Sequence, residues 1–226
     1  MAYTLLVVWS EGAYHCAGPI LALRKKVAMQ LKSPFRPGTI DDASVLAELV
    51  NYAGEGMPLY LWGTMAEPGE DAWIVGRRRA AREEGSFSYR NAAIIEHEGE
   101  CAGCLIGYDI PDEPQPIGAD MPAMFLPLQE LENLAPGTWY VNVLAVQPQF
   151  RGRGLGTQLL GLADAITTAR ATRGASVIVA DANTGARRLY DRCGYVERAS
   201  RAMVKDGWHT ESMHWVGAAG EGLVTR

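Results

Sequence analysis

The residues Arg151-Gly152-Arg153-Gly154-Leu155-Gly156 combine the types and spacing needed to hold an anion. Glycines let the main chain approach a phosphate closely, and N–H groups at the start of a helix point outward without partners. The helix dipole adds a partial positive charge there, and Arg151 and Arg153 add full ones. The ligand this implies is a diphosphate-bearing cofactor. Residue type excludes two common phosphate grips. A P-loop requires Lys-Ser or Lys-Thr after its glycines, and neither follows here. The dinucleotide fingerprint requires a third glycine where Thr157 stands, and Asp164 and Asp181 fall at the wrong places to hold a ribose. Arg151, Gly154 and Gly156 do satisfy the pattern R-x-x-G-x-G.

Such a turn works only if a strand delivers it and a helix follows it. The apolar run 139–146 reads as that strand. Leu155, Leu159, Leu162 and Ile166 then share one face of a long helix that Gly174 ends. Residues 175–180 read as a strand, and 184–193 as a helix closed by Gly194. Residues 195–204 and 212–216 read as final strands. Upstream, Phe35-Arg36-Pro37 suits a sheet edge, where proline is tolerated. Thr39 caps a helix with Asp42 three residues on, and Val45, Leu46, Leu49, Val50 and Ala53 form its buried face. Residues 54–69 read as a loop carrying Tyr60 and Trp62, and 71–84 as a helix. Residues 91–96 and 101–110 form a hairpin turning at 97–100. Residues 111–138 hold six prolines and read as a lid or binding loop with a short helix near 125–131. The order implies a mixed α/β sheet.

The chain of 226 residues is long enough for one well-packed domain, expected over 35–226, with 1–34 a loosely ordered extension. That extension has its lysines after its apolar stretch, the wrong order for a signal peptide, and translation starting at Met29 would remove most of it. A net charge of −5 argues against a nucleic-acid partner. No apolar run reaches the roughly 18–20 residues of a membrane span, so no membrane partner is expected. Four cysteines in a chain of this size do not make a disulfide framework, so the expected compartment is the cytoplasm.

The strand end Leu144-Ala145-Val146, with Val146-x-Pro148-x-x-Arg151-Gly152-x-Gly154-Leu155-Gly156, resembles the GNAT superfamily of N-acetyltransferases. A second block has the form of that family's later motif: Asn183-x-x-Ala186-x-x-x-Tyr190-x-x-x-Gly194-Tyr195. The two blocks cover about residues 139–198, while 35–110 fit only loosely. The resemblance implies a mixed, strongly twisted sheet flanked by helices, the GNAT acyl-CoA N-acyltransferase type. It implies that the glycine turn holds the pyrophosphate of acetyl-CoA, through Arg151, Gly152, Arg153, Gly154, Leu155, Gly156 and Thr157. The strand residues Leu144, Ala145 and Val146 would pair with the pantetheine arm, whose amides need partners, and Asn183 would contact the cofactor or cap its helix. No metal is implied. The reaction would be direct acetyl transfer from this co-substrate to a small-molecule or peptide amine, and a homodimer is a common arrangement. The alternative is a non-catalytic acyl-CoA-binding module of the same fold.

The same resemblance makes Tyr190 the general acid, since a phenol of pKa about 10 suits a departing thiolate. The residues themselves allow a plainer reading. Ala186, Leu189, Tyr190 and Cys193 follow helical spacing, so Tyr190 could simply be core. Arg187 and Arg188 could reach a phosphate or stay solvated. Cys101-x-x-Cys104 is rejected as a metal site because positions i and i+3 of a strand face opposite ways, and Cys193 reads as packing. The base is left to ordered water, with Glu55, Glu96 and Glu132 as side-chain candidates. The acceptor site is expected from 54–62 and 111–138, with Tyr60, Trp62 and Phe125 lining it.

Overall fold

The computed structural model describes residues 31–119, 121, 123–202 and the backbone of 212–218. The expected extension lies outside the described residues as far as position 30, as does a start at Met29. Leu31, within the expected extension, packs against the core. Among the described residues no helix is long and apolar enough to cross a membrane.

In chain order the elements are β1 (Phe35–Pro37), α1 (Ala43–Ala53), α2 (Met57–Met65), α3 (Ala72–Ala80), β2 (Ala92–His97), β3 (Glu100–Asp109), α4 (Leu126–Asn133), β4 (Trp139–Val146), α5 (Leu155–Arg170), β5 (Ala175–Ala180), α6 (Thr184–Arg192), β6 (Tyr195–Ala202) and β7 (Ser212–Ala218). The strands form one sheet in the order β1-β2-β3-β4-β5-β7-β6. Every neighbouring pair is antiparallel except β4 and β5, which α5 joins as a parallel crossover. Alternation along the strands splits the core in two. Leu46, Leu49, Trp62, Ile94, Ile106 and Tyr140 pack on the face covered by α1 to α4. Leu105, Val141, Leu144, Leu159, Val177 and Tyr190 pack on the face covered by α5 and α6.

Residues 54–69, expected as a loop, are mostly α2. Their glycine and proline punctuation belongs to the helix start: Gly56 takes φ 87° at the N-cap and Pro58 stands in the first turn, where its missing N–H costs nothing. Helix α5 stops at Ala171, which turns left-handed at φ 52°, three residues before the expected Gly174. Cys101 and Cys104 both pack on the α1–α3 side, which corrects the opposite-face expectation. The β2–β3 register has Ile95 opposite Gly103 and Glu96 opposite Cys101, so Ala102 is an extra residue that resets the alternation. Burial pushes the Cys101 thiol up to about 11 and raises Cys104 as well.

A second bulge shapes the centre of the sheet. Ile106 faces Val143 but Gly107 faces Val141, so Asn142 is an extra residue in β4. A bulge bends its strand and sharpens its twist. The β4–β5 ladder runs through Trp139–Ala175, Tyr140–Ser176 and Val141–Val177 and stops there. Its base is locked by Trp139 N donating to Gly174 O at 2.9 Å and by the Thr138 and Ser176 hydroxyls 2.8 Å apart. Beyond Val141 the two strands separate, although β4 continues to Val146.

The front of the domain is tied by one polar cluster. Asp42 is buried and accepts from Arg36 Nη1 and Nη2 at 2.7 and 2.8 Å, and from Thr39 N at 2.8 Å. Burial pushes the Asp42 carboxyl up, but these hydrogen bonds outweigh it and hold the group below the usual carboxylate value. A depressed folded pKa gives stability that is present above the unfolded value of about 3.9 and is lost as pH falls through the folded one. Asp42→Asn should therefore cost roughly 3 kcal/mol in urea unfolding at pH 7, with the gap to wild type closing below about pH 4.

Candidate active site

The turn after β4 is anchored before it opens. Gln147 N donates to Ala102 O at 2.8 Å, which fixes the strand end to β3. Residues 148–150 form a single 3-10 turn that buries Phe150. Arg151 reaches back, its Nε donating to Val146 O at 3.0 Å. Gly152 and Gly154 then take φ 75° and 76°, left-handed geometry that a side chain would strain. Gly156 serves a different need. A Cβ there would lie 3.0 Å from Leu189 Cδ2, so its absence lets α5 and α6 approach closely at this point.

Helix α5 starts with no side-chain cap, and its first internal bond is Gln158 N to Gly154 O at 3.1 Å. The N–H groups of Leu155, Gly156 and Thr157 are thus the open donors of the helix. They sit at a cleft of about 420 Å³. Of the residues expected at a cofactor, Leu144, Val146, Arg151, Gly152, Gly154, Leu155, Gly156 and Thr157 all line it. Arg151, Arg188 and Arg192 supply its charge, and none of its lining residues is acidic. A ligand carrying phosphates suits this wall.

Three residues expected at the cofactor, Ala145, Arg153 and Asn183, are not among the cleft's lining. The Ala145 side chain packs on the opposite face of the sheet, so only its main chain can serve the gap beside β4. Arg153 lies over the Phe150 ring, its Nη1 2.8 Å from His97 Nε2, joining the glycine turn to the β2–β3 turn. Arginine can only donate, so the ring nitrogen is the acceptor in that contact. Asn183 caps α6, its Oδ1 accepting from Ala186 N at 3.1 Å. Its Nδ2 is buried without a protein partner among the described residues, a donor left over for a ligand.

Helix α6 presents two faces. Gly185, Arg188, Leu189 and Arg192 face the cleft, while Ala186 and Tyr190 face the core. Arg192 was missed in sequence, although i, i+3, i+4, i+7 spacing from Gly185 marks that face. Arg187, which resembles Arg188 in sequence, is taken up by Asp181 at 3.2 Å and Glu197 at 3.1 Å. Tyr190 is fully buried, its ring centroid 5.7 Å from that of Tyr195. It also acts electrostatically on the Tyr140 hydroxyl of β4, the strand that borders the gap.

On the other face of the sheet, Phe125 lines a pocket under α4 together with Glu132. Trp62 does not line it: it is fully buried, stacked on Phe87 with centroids 6.0 Å apart. Tyr60 is exposed on α2 and lines neither space. Glu96 is held by Arg36 at 2.8 Å, and Glu55 sits in the α1–α2 turn at φ 53°.

A sequence model described as the Acetyltransferase (GNAT) family matches residues 59–195. Among solved structures the fold is similar to that of an acetyltransferase at 22% identity and TM-score 0.57, covering 83% of this chain and 99% of that one. It is also similar to an N-acetyltransferase from Staphylococcus aureus Mu50, at 17% identity and TM-score 0.56, covering 81% and 99%. A ribosomal-protein-alanine N-acetyltransferase from Brucella melitensis follows at 17% identity and TM-score 0.51, covering 81% and 97%. At these identities the likeness is one of fold. No curated protein sequence matches the chain.

Proposed function

The chain belongs to the GNAT acetyltransferase family, and from that premise we propose that it moves the acetyl group of acetyl-CoA directly to the nitrogen of a small-molecule or peptide amine. One observation carries the reading: three uncapped N–H groups, at Leu155, Gly156 and Thr157, open onto an arginine-lined cleft beside a strand whose parallel pairing has ended. The amides of 155–157 would hold the diphosphate, with Arg188 and Arg192 neutralising its charge. The free edge of Leu144, Ala145 and Val146 would take the amide-bearing arm as an added strand.

This arrangement would place the thioester where β4 leaves β5. The main-chain N–H groups there would polarise its carbonyl, and alignment of donor and amine would supply much of the rate. Tyr190 would give its proton to the departing thiolate. No metal takes part in these steps. The cytoplasm is the compartment we propose, since Cys101, Cys104 and Cys193 are free thiols.

The test compares acetyl-CoA with S-acetylpantetheine by calorimetry, beside a thiol-release assay over an amine panel. Removing the phosphates should weaken binding by at least about a thousandfold, the worth of two charged hydrogen bonds. Free thiol should appear only when an amine is present. Equal affinity for the two thioesters would overturn the assignment of the glycine turn.

A further inference from the structure

The pocket under α4 lies on the opposite face of the sheet from the cofactor cleft, with β4 between them. It has a volume of about 280 Å³. Its walls are Tyr108 of β3 and Met121, Phe125 and Leu128 around α4, with Gln129 at the side. One carboxylate opens into it. Glu132 is half-buried, and among the described residues no cation pairs with it. The nearby Arg201 of β6 is held by Glu130 at 2.7 Å. Among the described residues its one hydrogen-bond partner is the Tyr108 hydroxyl at 3.5 Å, too long for a strong bond. Behind it stands Tyr140, its ring centroid 5.3 Å from that of Tyr108. The Tyr140 hydroxyl is fully buried and has no partner among the described residues. Tyr140 is two residues before the Asn142 bulge, and its hydroxyl feels both Glu132 and Tyr190.

A lone carboxylate in an apolar, aromatic pocket recognises a cation on an apolar body. Resting on the acetyl-transfer reading above, we propose that this pocket takes a small primary amine carried on a compact apolar or aromatic group, and that Glu132 removes its ammonium proton. The ammonium nitrogen gives one proton to Glu132 and attacks the thioester carbonyl carbon with the freed electron pair. The N–C bond forms and the C–S bond breaks. The thiolate takes the Tyr190 proton, and the second proton shed by nitrogen balances that one. Glu132 returns its own to solvent. Burial has already pushed the Glu132 carboxyl up to about 8, nearer to an ammonium of about 10 and so a stronger base than an ordinary carboxylate. Of the described titratable groups, Tyr108 and Tyr140 face it, and both are held protonated by burial.

The experiment measures thiol release with 2-phenylethylamine and with glucosamine, from pH 6 to 10, for wild type, Glu132→Gln and Glu132→Asp. Acetyl-CoA affinity and melting temperature are recorded for each protein. For wild type, kcat/KM with 2-phenylethylamine should rise about tenfold per pH unit and level near pH 8. Glu132→Gln should lower it by about a hundredfold and flatten that limb while acetyl-CoA still binds. Glu132→Asp should keep the limb at a reduced rate. Glucosamine should be turned over at least about tenfold less well, because Ser86 and Gln129 are too few to partner its hydroxyls among walls that are otherwise mostly apolar and aromatic. An intact limb in Glu132→Gln, a preference for glucosamine, or no release with either amine overturns the pocket assignment and leaves the cofactor reading standing if acetyl-CoA binds. Failure of wild type to bind acetyl-CoA overturns both.

Discussion

Replacing Tyr190 with Phe should lower kcat by about a thousandfold while leaving acetyl-CoA affinity within about twofold, because a positioned general acid contributes roughly 100- to 10,000-fold to a proton-transfer step. The substitution separates chemistry from packing. The Tyr190 ring is fully buried against Tyr195, and Phe keeps that ring in place. Only the hydroxyl is lost, so the melting temperature should change little. Single-turnover thiol release and calorimetry, run on the same preparation, give the two readouts. Release at the wild-type rate would make the phenol a packing residue, which is what its helical spacing alone suggests.

The mirror-image result is expected at the turn. Gly152→Val with Gly154→Val should abolish measurable acetyl-CoA binding and leave the fold intact. Both glycines have φ near +75°, and a Cβ at either meets no neighbouring atom within 4 Å. The obstacle is therefore backbone strain, not crowding, and a β-branched residue relieves it by moving the turn out of the left-handed region. Moving the turn redirects the open N–H groups of α5. Losing two charged hydrogen bonds to phosphate costs about 4 kcal/mol, close to a thousandfold in Kd. Calorimetry checks it, and a retained micromolar affinity would mean that the phosphates are held elsewhere.

Sequence reading located β4 and β5 to the residue because each is a continuous apolar run with Gly, Pro or polar residues at its ends. The glycine turn was equally legible as a turn, since Gly152 and Gly154 supply the left-handed backbone it needs. Three features were not. The bulge at Asn142 has no local signature, because it exists only in the register between strands. It shifts the phase of β4, so that Leu144 and Val146 share a face with Trp139 and Val141 and Ala145 takes the other. Arg188 and Arg187 are adjacent and chemically alike, and only the rotation of α6 assigns one to the cleft and the other to Asp181 and Glu197. Glu132 could not be separated from Glu55 and Glu96 on sequence, because what distinguishes it is the set of rings folded over it from 24 positions away.

The parting of β4 from β5 has an effect on the whole molecule. Among the described residues the ladder across that seam has three register pairs, with the Trp139–Gly174 and Thr138–Ser176 bonds at its base. A long thin molecule lying in the opening would work like mortar between two blocks, adding contacts that the bare polypeptide lacks. Occupancy and resistance to unfolding then become two views of one free energy, so whatever loosens the seam must also loosen the grip on what fills it.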